Sequence, residues 1–250
     1  MENALSATGG IAASRASSYD DASGREDQMP SEVTIDLVVP GVALGWVVAE
    51  GCSVGPSSGE LLAEIRAATA RALASQDWPA REARRGANRD LLRFGTYKPT
   101  GRGKPASEYL VNAAIGRSFP LINALVDINN LVSLDTLLPI SLVDLDRAGT
   151  DSFKCRRGHE GEAYVFNPSG QVLELRDLLL LARLPADEPC ASPIKDSQAT
   201  KTHEGTARVL GVVYAPPGLG DEAGDAAQRM GDLMSRFCGA TIAAGRIPRG

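Results

Sequence analysis

The sequence predicts a single α+β domain, and three observations predict it. Period-two apolar alternation opens the chain after a polar tail. Helical periodicity dominates the middle third, and strand patterns return in the second half before a last amphipathic helix. The resulting order, β–β–α–α–α–β–β–β–α, carries no internal repeat and separates its strands from its helices as an α+β fold does.

Residues 1–30 are rich in Ser, Ala, Gly and Asp and have little to bury, so a disordered tail is expected there. In "EVTIDLVVP", Val33, Ile35, Leu37 and Val39 alternate as in a strand, and "ALGWVVAE" reads as its buried partner. "PSSGELLAEIRAATARALAS" starts a helix: Ser57 and Glu60 have capping-box spacing, and Leu61, Leu62, Ile65, Ala68 and Leu73 share a face. Pro and Gly make "YKPTGRGKP" a loop. "SEYLVNAAIGR" is a short helix ending at Gly116, and "LINALVDINNLVSL" is the next, with Ile122, Leu125, Val126 and Val132 at helical spacing. "AYVF" and "QVLEL" flank "NPSG", a hairpin signal, and "ARVLGVVYA" is a strong apolar strand. "PPGLGDEAGD" is a loop, and the terminal helix follows through Ala223, Ala226, Ala227, Met230, Leu233, Met234 and Phe237. The expected domain spans 31–240, with 241–250 a flexible C-terminus.

Composition narrows the chemistry. The chain has 250 residues, and no apolar run approaches the ~18 residues that cross a bilayer. The N-terminal stretch lacks a basic segment followed by an apolar one, so it does not read as a secretory signal, and a cytoplasmic protein is expected. Cys52, Cys155, Cys190 and Cys238 are widely spaced, which argues against a zinc knuckle or a redox dithiol. His159 and His203 are the only histidines, so hydrolysis cannot lean on the usual imidazole base. No metal and no cofactor are expected.

The net charge of −5 hides an uneven distribution. Between Arg81 and Lys104, eight basic residues (Arg81, Arg84, Arg85, Arg89, Arg93, Lys98, Arg102 and Lys104) stand against Glu82 and Asp90 alone. Two readings are open: a solvated basic helix face, or a patch for phosphates.

From Arg93 to Arg147 the chain resembles the B3/B4 domain, the editing module of the bacterial phenylalanyl-tRNA synthetase beta subunit, and the free-standing proteins built from that module. Tyr97-Lys98-Pro99-Thr100 fits the module's loop motif. Pro120, Ile122, Asn123, Leu125, Val126, Asp127, Asn130, Val132, Ser133 and Leu134 follow its helix pattern, Pro139 its turn, and Asp144-Leu145-Asp146 its tail. "DSQATKTHEGTARVLGVVY" is similar to its later segment. The resemblance implies a central, mostly antiparallel sheet with helices on one side, and a pocket for the aminoacylated 3′ end of tRNA. Where the synthetase module carries a histidine this chain has Ser141, the module's glutamate falls near Val212 with no acid in place, and its glycine-rich loop becomes "ASPIKDSQAT".

An aminoacyl ester is already activated, so positioning water and polarising the carbonyl go far without a histidine. Ser141, Asp196 and Thr200 are the candidate catalytic residues. Asn123, Asp127, Asn130, Lys195, Ser197, Lys201 and Thr202 are the candidates for holding substrate. Arg84, Arg85, Arg89, Arg93, Lys98, Arg102 and Lys104 are the candidates for tRNA. Each has a plainer reading: Asn123 as a helix cap, Asp127 and Asn130 as ties to loops, Ser141 in a hydroxyl turn, 195–202 as a solvated loop, and Asp144 and Asp146 fastening the turn. The leading expectation is a deacylase acting in trans on mischarged aminoacyl-tRNA. The alternatives are a non-catalytic module that binds tRNA or an amino acid, and a hydrolase of small amino-acid esters or amides.

Overall fold

The computed structural model describes residues 30–75 and 77–247; the tail expected over 1–30 lies, but for Pro30, outside the described residues. Two four-stranded sheets and a layer of helices build an α+β domain. The strands are β1 (Thr34–Leu37), β2 (Ala43–Glu50), β3 (Ile140–Asp144), β4 (Ser152–Arg157), β5 (Ala163–Val165), β6 (Val172–Glu174), β7 (Leu179–Arg183), β8 (Glu188–Ala191), β9 (Arg208–Ala215) and β10 (Thr241–Ile247). The helices are α1 (Gly59–Ala74), α2 (Trp78–Leu92), α3 (Ala106–Ile115), α4 (Ala124–Thr136), the one-turn α5 (Leu145–Ala148) and α6 (Gly220–Cys238).

One sheet runs β10-β2-β9-β3 and is antiparallel throughout. Strand alternation gives it two apolar faces. Val47 and Ala49 of β2 with Val209, Val213 and Ala215 of β9 meet α1, α4 and α6 in one core. Leu44 and Val48 with Leu210, Val212 and Tyr214 meet the second sheet in another. That sheet, β1-β4-β7-β8, is antiparallel except for the β1–β4 pair and contributes Phe153, Cys155 and the run Leu179–Ala182. Helices therefore cover one side of the central sheet, as the resemblance implies, and a second sheet covers the other. Gly45 lets α6 sit down on β2, because a Cβ there would lie 1.9 Å from the Ala223 carbonyl oxygen.

Several local expectations shift. The N-cap of α1 is Ser58, whose side chain accepts from Leu61 N–H, while Ser57 donates its hydroxyl to Asp127. The stretch 78–92 is a helix with an Asp77 cap and Pro79 in its first turn, so the basic run is split between a helix and the loop after it. "PISLVD" is not a turn but the fully buried strand β3. Residues 241–247, expected to be flexible, form β10, which pairs with β2 over seven residues and closes an edge of the central sheet. The hairpin around "NPSG" is present as β5–β6, and Asn167 Oδ1 accepts the Gln171 N–H across its turn. Among the described residues no helix is long and apolar enough to cross a membrane.

Candidate functional site

Strand β3 pairs with β9 on one side only; its other edge is finished by the loop from β8 to β9. Unpaired strand N–H groups in the interior need acceptors, and this loop supplies them. Leu142 N–H donates to Asp196 Oδ2 at 3.1 Å, and Asp144 N–H donates to the Thr200 carbonyl at 2.9 Å. Between them the loop folds on itself: Ser192 N–H reaches Asp196 Oδ1 at 3.4 Å, and the Ser192 hydroxyl donates to the Lys195 carbonyl at 2.9 Å.

Two expected site residues meet here. Ser141 is wholly buried on the face toward the second sheet, and its hydroxyl donates to the Ser192 carbonyl at 3.1 Å. Asp196 lies beside it with its carboxyl enclosed, although the residue as a whole keeps some surface. The enclosure governs its chemistry: burial pushes the carboxyl up to about 6, against the pull of the Ser141 hydroxyl, the Leu142 N–H, Lys201 and the Ser192 N–H. Tyr164 completes the floor from β5, its hydroxyl 3.0 Å from Ser192 Oγ and 2.5 Å from the Lys195 carbonyl oxygen. The Tyr214 hydroxyl, also buried, has no hydrogen-bond partner of good geometry.

Above this floor the positive charge converges. Lys195 Nζ sits 3.8 Å from the centre of the Phe166 ring, and Lys201 Nζ donates to the Phe166 carbonyl at 2.7 Å. Burial, and then the neighbouring charges of Arg102 and Lys201, pull the Lys195 ammonium below its ordinary range. Lys195 with Arg102 and Lys201 close by makes a positive cluster that attracts an anionic group, and Lys201 also acts on the Asp196 carboxyl.

Other expected residues have structural work. The Thr200 hydroxyl donates to the Cys190 carbonyl at 2.9 Å and the residue is 1% exposed, so its catalytic expectation gives way to a loop clamp. Buried Ser197 accepts the Ala199 N–H. Asp127 is 1% exposed and both its oxygens are taken, by Ile122 N–H at 2.8 Å and the Ser57 hydroxyl at 2.6 Å; it ties α4 to two loops and is not open to substrate. Asn123 caps α4 by accepting the Val126 N–H, and Asn130 accepts from the Asn129 side chain within the same helix. Thr202 follows Lys201 at the half-buried end of the loop.

The basic stretch divides cleanly. Four arginines of α2 and its C-cap meet carboxylates: Arg84 with Glu222 (2.8 and 3.1 Å), Arg85 with Glu82, Arg89 with Glu108 (both contacts 2.6 Å) and Arg93 with Asp90 (3.3 Å). Arg85 and Arg93 are exposed, whereas Arg84 and Arg89 are half-buried and Glu108 is buried. Lys98, Arg102 and Lys104 lie instead in the loop folded by the Tyr97 hydroxyl, which donates to the Gly103 carbonyl at 2.8 Å. That loop leads into α3, whose first N–H, from Ala106, donates to the Pro193 carbonyl beside the Asp196 loop.

Cavities lie elsewhere among the described residues. One of about 80 Å³ separates α2 from α3, lined by Asn88, Ser107 and Leu137 among others. A groove of about 850 Å³ runs beside β1 and β4. Ser141 and Asp196 line neither. Among the described residues no three His, Cys, Asp or Glu side chains gather as a metal site.

Tyr164, Phe166 and Ser192 were missed as site residues. "AYVF" marked its strand but not the direction of its rings, and Ser192 had only its place in a loop to mark it. No curated protein matches the chain. The family model of the B3/4 domain matches residues 101–218, the segment that holds Arg102, β3, the β5–β6 hairpin and the whole 192–202 loop. Over those residues the chain carries a B3/4 domain.

Proposed function

We propose that the protein binds the aminoacylated 3′ end of tRNA and hydrolyses the ester that joins a wrong amino acid to the ribose. The observation that carries this reading is the Asp196 carboxyl, raised to about 6 and acted on by Lys201, in the same loop as Lys195, which Arg102 and Lys201 neighbour. The B3/4 domain is associated with tRNA binding and editing in synthetase beta subunits, which supplies the substrate class.

In this reading the cations hold the terminal phosphates. Asp196, ionised above about pH 6, takes a proton from a water that attacks the ester carbonyl. The carbonyl carbon gains the water oxygen, the bond to the ribose oxygen breaks, and that oxygen leaves with the proton that Asp196 had taken, which restores the carboxylate. Amino acid and free tRNA result. Ser141 acts from behind, through its hydrogen bond to the Ser192 carbonyl and its contact with Asp196, and is a positioning residue.

The test is a panel of tRNAs mischarged with different amino acids, assayed with the wild type and Asp196→Asn. Release of amino acid from at least one member, reduced at least 100-fold by the substitution, is the expected result. Intact tRNA binding with release from none would favour the non-catalytic module.

A further inference from the structure

The groove beside β1 and β4 is distant in character from the Asp196 site and holds an arrangement that the deacylation chemistry leaves unused. Phe94, 51% exposed, forms part of its wall just beyond the C-terminus of α2, and Val38, 52% exposed, forms another part. Exposed apolar side chains of that size, both lining one groove, leave a slot that a flat molecule would close.

The Arg157 guanidinium lies under the Phe94 ring, 4.8 Å from its centre. It gives its N–H groups to the carbonyls of Leu91 (2.9 Å) and Leu92 (3.5 Å), the last turn of α2, rather than to a carboxylate. Its Nε–H is buried without an acceptor. Helix carbonyls fix the plane of the guanidinium but do not neutralise it, so the Phe94–Arg157 stack is a rigid, positively charged aromatic platform. Lys154, paired with Asp187 at 3.4 Å, and His159 line the groove further along and can donate hydrogen bonds.

Three carboxylates also line it, and two are already engaged. Asp187 is held by Arg156 at 2.8 Å and Lys154 at 3.4 Å, and Arg156 also grips Glu162. Asp177 takes the N–H and hydroxyl of Thr96, both at 2.7 Å. Asp36 remains, on the exposed face of β1, an acceptor suited to the amino edge of a base. A platform that stacks, a cation at its back and a carboxylate at its edge describe a receptor for a nucleobase carrying a phosphate.

We propose that this groove holds an unpaired nucleotide of RNA, its base stacked on Phe94–Arg157 and its phosphate toward Lys154 and His159. Phe94 begins the turn that leads through Tyr97 to Lys98, Arg102 and Lys104, so a strand crossing that loop reaches the groove. The inference rests on the proposed function only for RNA as the partner, and needs no hydrolysis.

Phe94→Trp places a fluorescent ring on the platform, and Phe94→Leu keeps an apolar side chain but removes the stack. The probes are the RNA trinucleotide cytidyl-cytidyl-adenosine, without an amino acid, and AMP. The expected result is saturable quenching of the introduced indole by the trinucleotide and an affinity for it at least five-fold above that for AMP. Phe94→Leu should weaken trinucleotide binding about ten-fold, the loss of one stacked base, with its melting temperature unchanged. No quenching, or binding by Phe94→Leu within two-fold of the wild type, overturns the proposal. AMP bound as tightly as the trinucleotide overturns the strand and leaves a mononucleotide site. Because neither probe carries an ester, failure of deacylation and failure of this inference are read separately.

Discussion

The backbone N–H of Leu142 donates to Oδ2 of Asp196 at 3.1 Å, so one carboxylate both closes a strand edge and stands as the candidate base. These roles pull in opposite directions. The hydrogen bonds favour the ionised form and burial disfavours it, and burial wins, since the carboxyl is raised from its ordinary value to about 6.

The pH dependence of stability follows from that sign. Between the ordinary carboxyl value of 3.8 and about 6, the native state holds a proton at Asp196 that the unfolded chain has released. Stability at this site is therefore lost as pH rises through that window. The stability difference, wild type minus Asp196→Asn, should fall by up to about 3 kcal/mol between pH 3 and pH 7.5, following two pH units at about 1.4 kcal/mol each. Urea unfolding of both proteins across that range measures it; a flat difference would contradict the raised carboxyl. Deacylation should climb through about pH 6 in the wild type.

Charge reversal should sort the basic residues by partner. Arg102→Glu and Lys195→Glu are expected to weaken tRNA binding at least five-fold each and to lower the salt slope by about one unit per lost phosphate contact. Arg93→Glu, at the C-cap of α2 where Arg93 pairs with Asp90 of the last turn, should change binding less than two-fold. Filter binding at several salt concentrations decides, and an equal effect at all three positions would return the helix to the interface.

Asp144 is a structural anchor. Buried to 1% exposure, it caps α5 by accepting the Arg147 N–H at 2.9 Å and accepts the Thr206 hydroxyl at 2.6 Å. Asp144→Ala leaves both donors without their acceptor and should cost about 2–4 kcal/mol in chemical denaturation. A loss under 1 kcal/mol would mean that water replaces the carboxylate.

Two glycines make a matched pair. Gly45→Ala drives a Cβ into the backbone of Ala223, which a side-chain rotation cannot relieve, and should cost about 3 kcal/mol. Gly55→Ala meets open space and should stay within about 0.5 kcal/mol of the wild type. Thermal melts of the two variants give the contrast directly.

The helices and strands with a clear period were legible in the sequence: β1, β2, β9, α1, α4, α6 and the β5–β6 hairpin. β3 was not, because five consecutive buried residues after Pro139 have no alternation to announce a strand. β4 and β7 escaped for a related reason, since Arg156 is 5% exposed and the Leu179–Ala182 run is buried throughout. At the site, Asn123 was legible as a cap because its chemistry is local. Ser141 and Asp196 were found through the family pattern, not by periodicity. That Asp127 ties its helix to loops was among the readings, but its partner Ser57, 70 residues away, could not be named, nor could Glu108, 19 residues from Arg89.

The central sheet brings together distant parts of the chain: β9 lies between β3, within residues 101–218, and β2, far upstream, while β10 joins β2 from the far side. The matched segment alone would leave one edge of β9 bare for eight residues, and the helix face of its sheet would lack α6. It is a signature without being a separable folding unit. On the ribosome, β9 can pair with β2 soon after it emerges, yet that sheet stays open on the other edge of β2 until Ile247 has left the exit tunnel. Until then the nascent chain carries an open, adhesive strand edge along β2, a condition under which holding chaperones are needed.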